Sequence, residues 1–227
     1  MATTERLKSS GQRAERAERI LDVAADLLLR HGYRRVTIDD VAAGAGIGKG
    51  TIYLHWKTRE QLFSAVFARE VLSAIGELRD SLEKDPQVCL LHRFAQTYFL
   101  AITGRPLLRG FLLADPELLG KLTTGRDSAR DDRHAELGRG YFTLLADHGQ
   151  LRSDLDLEDL GYAYQATFEG FLRAEDTAGR SLEHQADLLA RTIERAFEIG
   201  QPLAEEALQE LASAVAALLS ELISADS

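Results

Sequence analysis

Residues 37–56 read TIDDVAAGAGIGKGTIYLHW, and the architecture follows from this stretch. Thr37 is a good helix N-cap, and Asp39 and Asp40 fall in the first turn, where the helix dipole favours anions. The helix they open is short, to about Gly44. A turn at 45–47 follows, with Gly46 placed to take the positive φ that the turn demands. A further short helix runs from about Gly48 to Trp56. Val41 and Ala42 face inward, Ala42, Ala43 and Ala45 let two helices approach closely, Ile47 plugs the angle, and Ile52 and Trp56 share one inner face. Lys49, Gly50, Thr51 and Tyr53 are left for the other faces. Gly50 costs about 1 kcal/mol relative to Ala inside a helix, a cost with a purpose if backbone must come close to another molecule. Two short helices at a steep angle, apolar within and polar on the second helix's outer face, are what reading a DNA major groove requires. The pattern predicts a helix-turn-helix.

Outward from this unit the chain reads as helix throughout, with no convincing strand and no repeat. The first six to nine residues look disordered, and a helix spans about 11–31, with Ile20, Val23, Ala24, Leu27 and Leu28 on its apolar face and Gly32 at its left-handed end. Thr58 caps a long helix with Glu60 in its first turn and the stripe Phe63, Phe67, Val71, Ile75, Leu78 and Leu82. Pro86 ends it. A fifth helix shows Val88, Leu91, Ala95, Tyr98 and Ile102, and a short apolar sixth follows Pro106. Residues 118–129, with Gly120 and Gly125, bend or break. Helices then cover about 131–148, 157–176 and 182–199, with a polar connection at 150–156. After Pro202 a last helix repeats Leu208, Leu211, Val215, Leu218 and Leu222 at spacings of 3 and 4. That seam suits one partner helix, either within its own domain or on another protein.

The chain has 227 residues and a net charge of −9, which taken alone disfavours a polyanionic partner. The distribution reverses this. Residues 1–60 hold 11 Lys and Arg against 8 Asp and Glu, while the remaining 167 hold 16 against 28. A mildly basic head on an acidic body presents one end to phosphates and keeps the other off them. The single cysteine, Cys89, closes no intramolecular disulfide, and no Cys/His cluster offers a zinc site. The N-terminus carries no apolar signal core, and no apolar run approaches the roughly 18 residues of a membrane span. A cytoplasmic protein without cofactor or metal is expected.

The segment GIGKGTIYLHWKTREQLF at 46–63 resembles the TetR family of bacterial transcription regulators, whose pattern is roughly G-V-S-x-G-x-[LI]-Y-x-[HY]-F-x-x-K-x-x-L. The likeness covers about residues 13–63. Beyond it, only the all-helical layout and HGQLRSDLDLEDL at 148–160 are similar. The resemblance implies an all-α fold in which an N-terminal arm and three-helix DNA-binding domain, residues 1–57, precede a larger helical effector-binding and dimerisation domain, residues 58–227. Carried over by position, it implies that Thr37 and Ile38 meet the phosphate backbone. Gly48, Lys49, Gly50 and Thr51 would enter the major groove, with Lys49 and Thr51 the candidates for base contact. Tyr53, Leu54 and His55 would line the groove wall, Tyr53 and His55 on phosphates. Lys57 and Arg59 would lie near phosphates, and Arg6, Lys8, Arg13 and Arg16 would add backbone or minor-groove contacts. Duller readings stand beside these: Tyr53 as half core, His55 as solvated, Lys57 and Arg59 as plain surface charges. Two positions depart from the family: Gly48 replaces the usual Ser or Thr, losing a hydroxyl, and Trp56 replaces Phe as a larger core residue.

One such motif covers one half-site, and specific recognition normally takes two, about 34–36 Å apart, so a homodimer on an operator is expected. The resemblance places its interface on the two helices at 157–176 and 182–199, with Phe168, Phe171, Leu188, Thr192 and Arg195 as candidates if their apolar faces are not simply core. It also implies a small-molecule effector. Tyr98, Phe111, Tyr141 and Gln165 are the candidate pocket residues among body aromatics, with His92, His134 and Gln96 as further polar groups. The expected function is a dimeric repressor that an effector releases from its operator. The alternatives are control by a partner protein, through the last helix's seam, or action as an activator. Catalysis is not expected. Asp131-x-x-His134 and Cys89-x-x-His92 stand singly where a di-iron bundle needs paired Glu-x-x-His motifs, and no nucleophile motif or phosphate loop appears.

Overall fold

The computed structural model describes residues 2–113, 128–154 and 156–226, with side chains from 11–113, 135–154 and 156–225. The expected bend at 118–129 lies largely outside them, as do the side chains of Arg6, Lys8 and His134. The helices are α1 (Ala2–His31), α2 (Ile38–Gly44), α3 (Lys49–Tyr53), α4 (Arg59–Lys84), a 3-10 turn (Pro86–Cys89), α5 (Leu91–Thr103), α6 (Pro106–Leu112), α7 (Ser128–Asp147), α8 (Leu157–Arg173), α9 (Leu182–Phe197) and α10 (Glu205–Asp226). Among the described residues the only extended pairing is an isolated bridge between Leu151 and Glu198. The fold is all-α.

The chain divides into two compact units, residues 1–70 with 110–125, and residues 71–109 with 126–227. In the first, α1 begins at Ala2 rather than near Gly11. The residues around Gly11 are good helix formers (Glu, Arg, Leu, Lys, Ala), and one glycine is too small a penalty to interrupt them. Ile20, Leu21, Ala24 and Leu28 are buried, as are Tyr33, Val36, Ile38, Val41, Ile52, Leu62, Phe63, Val66 and Phe67. Gly32 ends α1 at φ 70°. Across the unit, Arg69 of α4 pairs with Asp22 at 2.7 Å and Glu18 at 3.2 Å on α1. Phe111 stacks on Phe67 with ring centroids 5.2 Å apart.

The second unit is built on α5, which packs against α9, α8 and the 3-10 turn, while α10 packs on α7 and that turn. Pro86 does end α4, but it opens the 3-10 turn rather than a helix, so Val88 is buried one element earlier than the periodicity implies. Residues 150–152, expected to be a polar connection, are partly interior. Gln150 and Leu151 are buried, the Gln150 carbonyl accepts from the Ile199 amide at 3.1 Å, and the Arg152 amide donates to the Phe197 carbonyl at 2.9 Å. Glu198 then clasps α5: its carboxylate lies 2.5 Å from His92 Nδ1 and accepts the His92 amide at 3.3 Å. The 3-and-4 seam of α10 is taken up inside this unit, with Leu211, Val215 and Leu222 buried and Leu218 3.7 Å from where a Cβ on Gly140 would stand. By length and composition, residues 205–225 do suffice for a membrane span. This departs from the expectation that no apolar run approaches such a length. The buried face on α7 is what a core helix requires.

Candidate nucleic-acid interface

The helix-turn-helix is assembled from caps. Thr37 Oγ1 accepts the Asp40 amide at 3.2 Å while the Asp40 carboxylate accepts the Thr37 amide at 2.8 Å and the Thr37 hydroxyl at 2.6 Å. This is a reciprocal capping box, and the Thr37 hydroxyl holds the Asp40 carboxyl below the usual carboxylate range. The Ile38 side chain is buried, leaving only its backbone for any partner. Gly46 adopts φ 66° in the turn, and the Ile47 amide reaches the Ala42 carbonyl at 3.0 Å. At Gly44, the end of α2, an added Cβ would lie 2.6 Å from Val23 Cγ1 on α1. The missing side chain lets α1 and α2 touch.

The second helix of the motif, α3, is only five residues long, shorter than the expected 48–56. Gly48 is its N-cap with extended backbone and no side-chain hydrogen bond. At Gly48 and Gly50 an added Cβ would meet nothing within 4 Å, so nothing within the chain requires glycine at either. Ile52 is fully buried, whereas Trp56 is half-buried beside the His55 ring at 5.2 Å. Trp56 is therefore less of a core residue than expected. Thr51 is half-buried, Tyr53 is exposed, and Leu54 is 65% exposed.

The cations around α3 are tied down inside the unit. Lys49 Nζ pairs with Asp39 Oδ2 at 3.0 Å, joining the start of α3 to the start of α2. At the other end, Lys57 Nζ donates to the Tyr53 carbonyl at 3.2 Å and Arg13 of α1 to the Leu54 carbonyl at 3.1 Å. Two basic side chains thus take up carbonyls that a short helix leaves unpaired. Arg59 turns inward. Its guanidinium lies 4.1 Å over the centre of the Tyr33 ring, 5.5 Å from that of Phe63, and donates to the Tyr33 carbonyl. Cation–π contact with two rings commits it to packing, which its reading as a phosphate contact or surface charge did not anticipate. His55 is half-buried, and burial first, then Arg13 and Arg16, hold its imidazole below the usual histidine range.

The body residues are placed less uniformly. Tyr98, Phe168 and Tyr164 form a stack, with Phe168 5.7 Å from Tyr98 and 6.0 Å from Tyr164. Phe94 stacks on Tyr141 at 4.5 Å. The Tyr141 hydroxyl donates to the Cys89 carbonyl at 2.9 Å. Of the four expected pocket residues, only Tyr98 and Tyr141 lie in this aromatic cluster. Gln165 is exposed and donates to Glu169, and Phe111 falls in the first unit. Tyr164, not singled out as a pocket residue, joins the cluster and, like Tyr98, is half-buried. Burial pushes Tyr98 up to about 12 and Tyr164 higher still. Of the expected dimer residues, Leu188, Thr192 and Arg195 lie on the exposed face of α9, while Phe168 points into the core.

A bi-helical turn held by a capping box, a left-handed glycine and clamped helix ends defines a helix-turn-helix protein. Residues 20–66, which hold the whole helix-turn-helix, match the profile of the bacterial regulatory proteins of the tetR family. An HTH-type transcriptional regulator of Mycobacterium bovis is 38% identical over 72 residues, which cover 30% of this chain and 36% of the relative. The chain thus aligns with only about a third of the length of the curated relatives it matches first. A second regulator of that organism is 25% identical over 175 residues, 77% of this chain and 72% of its own. Among solved structures, NalD, the secondary repressor of the MexAB-OprM multidrug efflux pump in Pseudomonas aeruginosa, superposes with a TM-score of 0.60 at 17% identity. That superposition covers 83% of this chain and all of NalD, and it speaks to the fold alone.

Proposed function

We propose that the protein is a DNA-binding transcription regulator that acts as a homodimer and is released from its operator by a small molecule. The observation that carries the DNA-binding part is the outer surface of α3. Gly48 and Gly50 have no packing reason to be glycine, and beside them stand Lys49, Thr51 and exposed Tyr53 and Leu54. A helix stripped of side chains on its outer face lets backbone approach phosphate or base edge. Thr37 and Ile38 offer backbone at the start of α2, and Tyr53, His55 and Lys57 flank the groove. Arg59 supports this surface from within.

The small-molecule part rests on Tyr98 and Tyr164. Both half-buried rings stack on Phe168 within the second unit, and an aromatic lining with a few hydroxyls suits a largely apolar molecule that carries hydrogen-bond acceptors. Since α10 spends its seam on its own unit, this reading is favoured over control by a protein docked there.

The test is selection from a randomised duplex pool followed by titration of the selected DNA. We expect a palindromic consensus bound by two chains, with a negative salt slope. If no duplex is retained at 50 mM salt, the DNA-binding proposal is wrong.

A further inference from the structure

We propose that Asp39 determines base preference by holding Lys49. The inference rests on α3 being the DNA-reading helix. Lys49 is the only cation within the sequence of α3. It leaves the helix start and meets Asp39 of α2 at 3.0 Å, and both side chains are largely open to solvent, 47% and 68%. An acidic side chain on a surface that must meet phosphates opposes binding, so its position calls for a function. Its favourable place in the first turn of α2 is one, but Asp40, already in the capping box, serves that end without Lys49.

The pair changes what Lys49 does. An unpaired lysine is a mobile point charge that takes any phosphate within reach, adding affinity without sequence information. Paired to Asp39, its charge is locally neutralised and its ammonium is held in one place, with two of three N–H donors still free. Guanine presents N7 and O6 in the major groove to such a donor. The second Asp39 oxygen is left to accept from the amino group of a neighbouring cytosine. The couplet therefore selects a guanine flanked by a cytosine amino group and rejects plain backbone. An exposed pair of this kind shifts an equilibrium by no more than about fivefold, so it biases Lys49 without locking it away from DNA.

The experiment compares the wild type, Asp39→Asn, Lys49→Met and the double variant in two assays, after urea denaturation confirms that each is folded. The first is binding to a random-sequence 30-base-pair duplex across a salt series. The second is selection from a randomised duplex pool. Asp39→Asn should bind the random duplex about 3–5 times more tightly at low salt, with a log–log salt slope steeper by about 0.9 as Lys49 gains a phosphate. Its preference for the selected guanine should fall by up to about fivefold from that of the wild type. In the Lys49→Met background the same change should leave slope and consensus unmoved, which an effect of helix stability or of bulk charge would not do. A wild type that selects a consensus shared unchanged by Asp39→Asn overturns this inference alone. A wild type that retains no duplex overturns the DNA-binding reading and this inference with it.

Discussion

Two tyrosines six ångströms or so from the same phenylalanine ring differ from a third in what their hydroxyls do, and that difference is measurable. Tyr141 donates to the Cys89 carbonyl, so Tyr141→Phe leaves a buried acceptor unpaired and should cost about 1–2 kcal/mol in urea denaturation. Tyr98 is half-buried and, among the described residues, its hydroxyl makes no hydrogen bond, so Tyr98→Phe should leave stability unchanged to within about 0.5 kcal/mol. Equal losses for the two variants would mean that Tyr98 is an ordinary core residue and would remove the main support for a ligand there. At this scale the sequence was a partial guide. It marked Tyr98 and Tyr141 as aromatic and helical but could not separate them, because the acceptor of Tyr141 is a backbone carbonyl 52 residues away. For the same reason Arg59 read as a surface charge. Tyr33, which it covers, lies 26 residues earlier, past two helices.

At the scale of single elements the sequence was far more legible, because caps and glycines act locally. Thr37 with Asp40, Gly32, Gly46 and the Thr58 hydroxyl, which accepts the Gln61 amide at 3.1 Å, stand where the residue pattern put them. What escaped was the length of α3 and the reason for Gly44. Both depend on neighbours: α3 is trimmed to five residues and held by Arg13 from α1, and Gly44 meets Val23. The two kinds of glycine in this motif should respond oppositely to alanine. Gly44→Ala sets a Cβ 2.6 Å from Val23 Cγ1 and should destabilise by about 1–3 kcal/mol through overpacking. Gly50→Ala meets open space and should stabilise by about 0.5–1 kcal/mol through helix propensity, while weakening binding to the selected duplex. Thermal unfolding and DNA titration of the same two variants decide the matter. If Gly50→Ala binds DNA as tightly as the wild type, close backbone approach at that residue is wrong.

For the molecule as a whole, the proposed pairing of heads bears on the charge split between basic head and acidic body. A head with a net charge of +3 beside 167 residues carrying −12 attracts DNA weakly on its own, and two heads linked in one particle bind by avidity, about 10²–10⁴ beyond either alone. The face available for pairing is on α8 and α9, where Tyr162 is 76% exposed and Leu188 37%, with Thr192 and Arg195 continuing the outward stripe of α9. In a two-fold dimer the same patch occurs on both partners, so one substitution acts twice. Leu188→Glu combined with Tyr162→Glu adds four carboxylates to such an interface and removes four apolar anchors. The double variant should sediment as a monomer, keep the wild-type helical signal, and bind the full palindrome about 100-fold more weakly while a half-site is bound as before. A variant that stays dimeric places the interface on another face. One that becomes monomeric yet keeps full affinity for the palindrome means that each head acts alone, which overturns the homodimer reading.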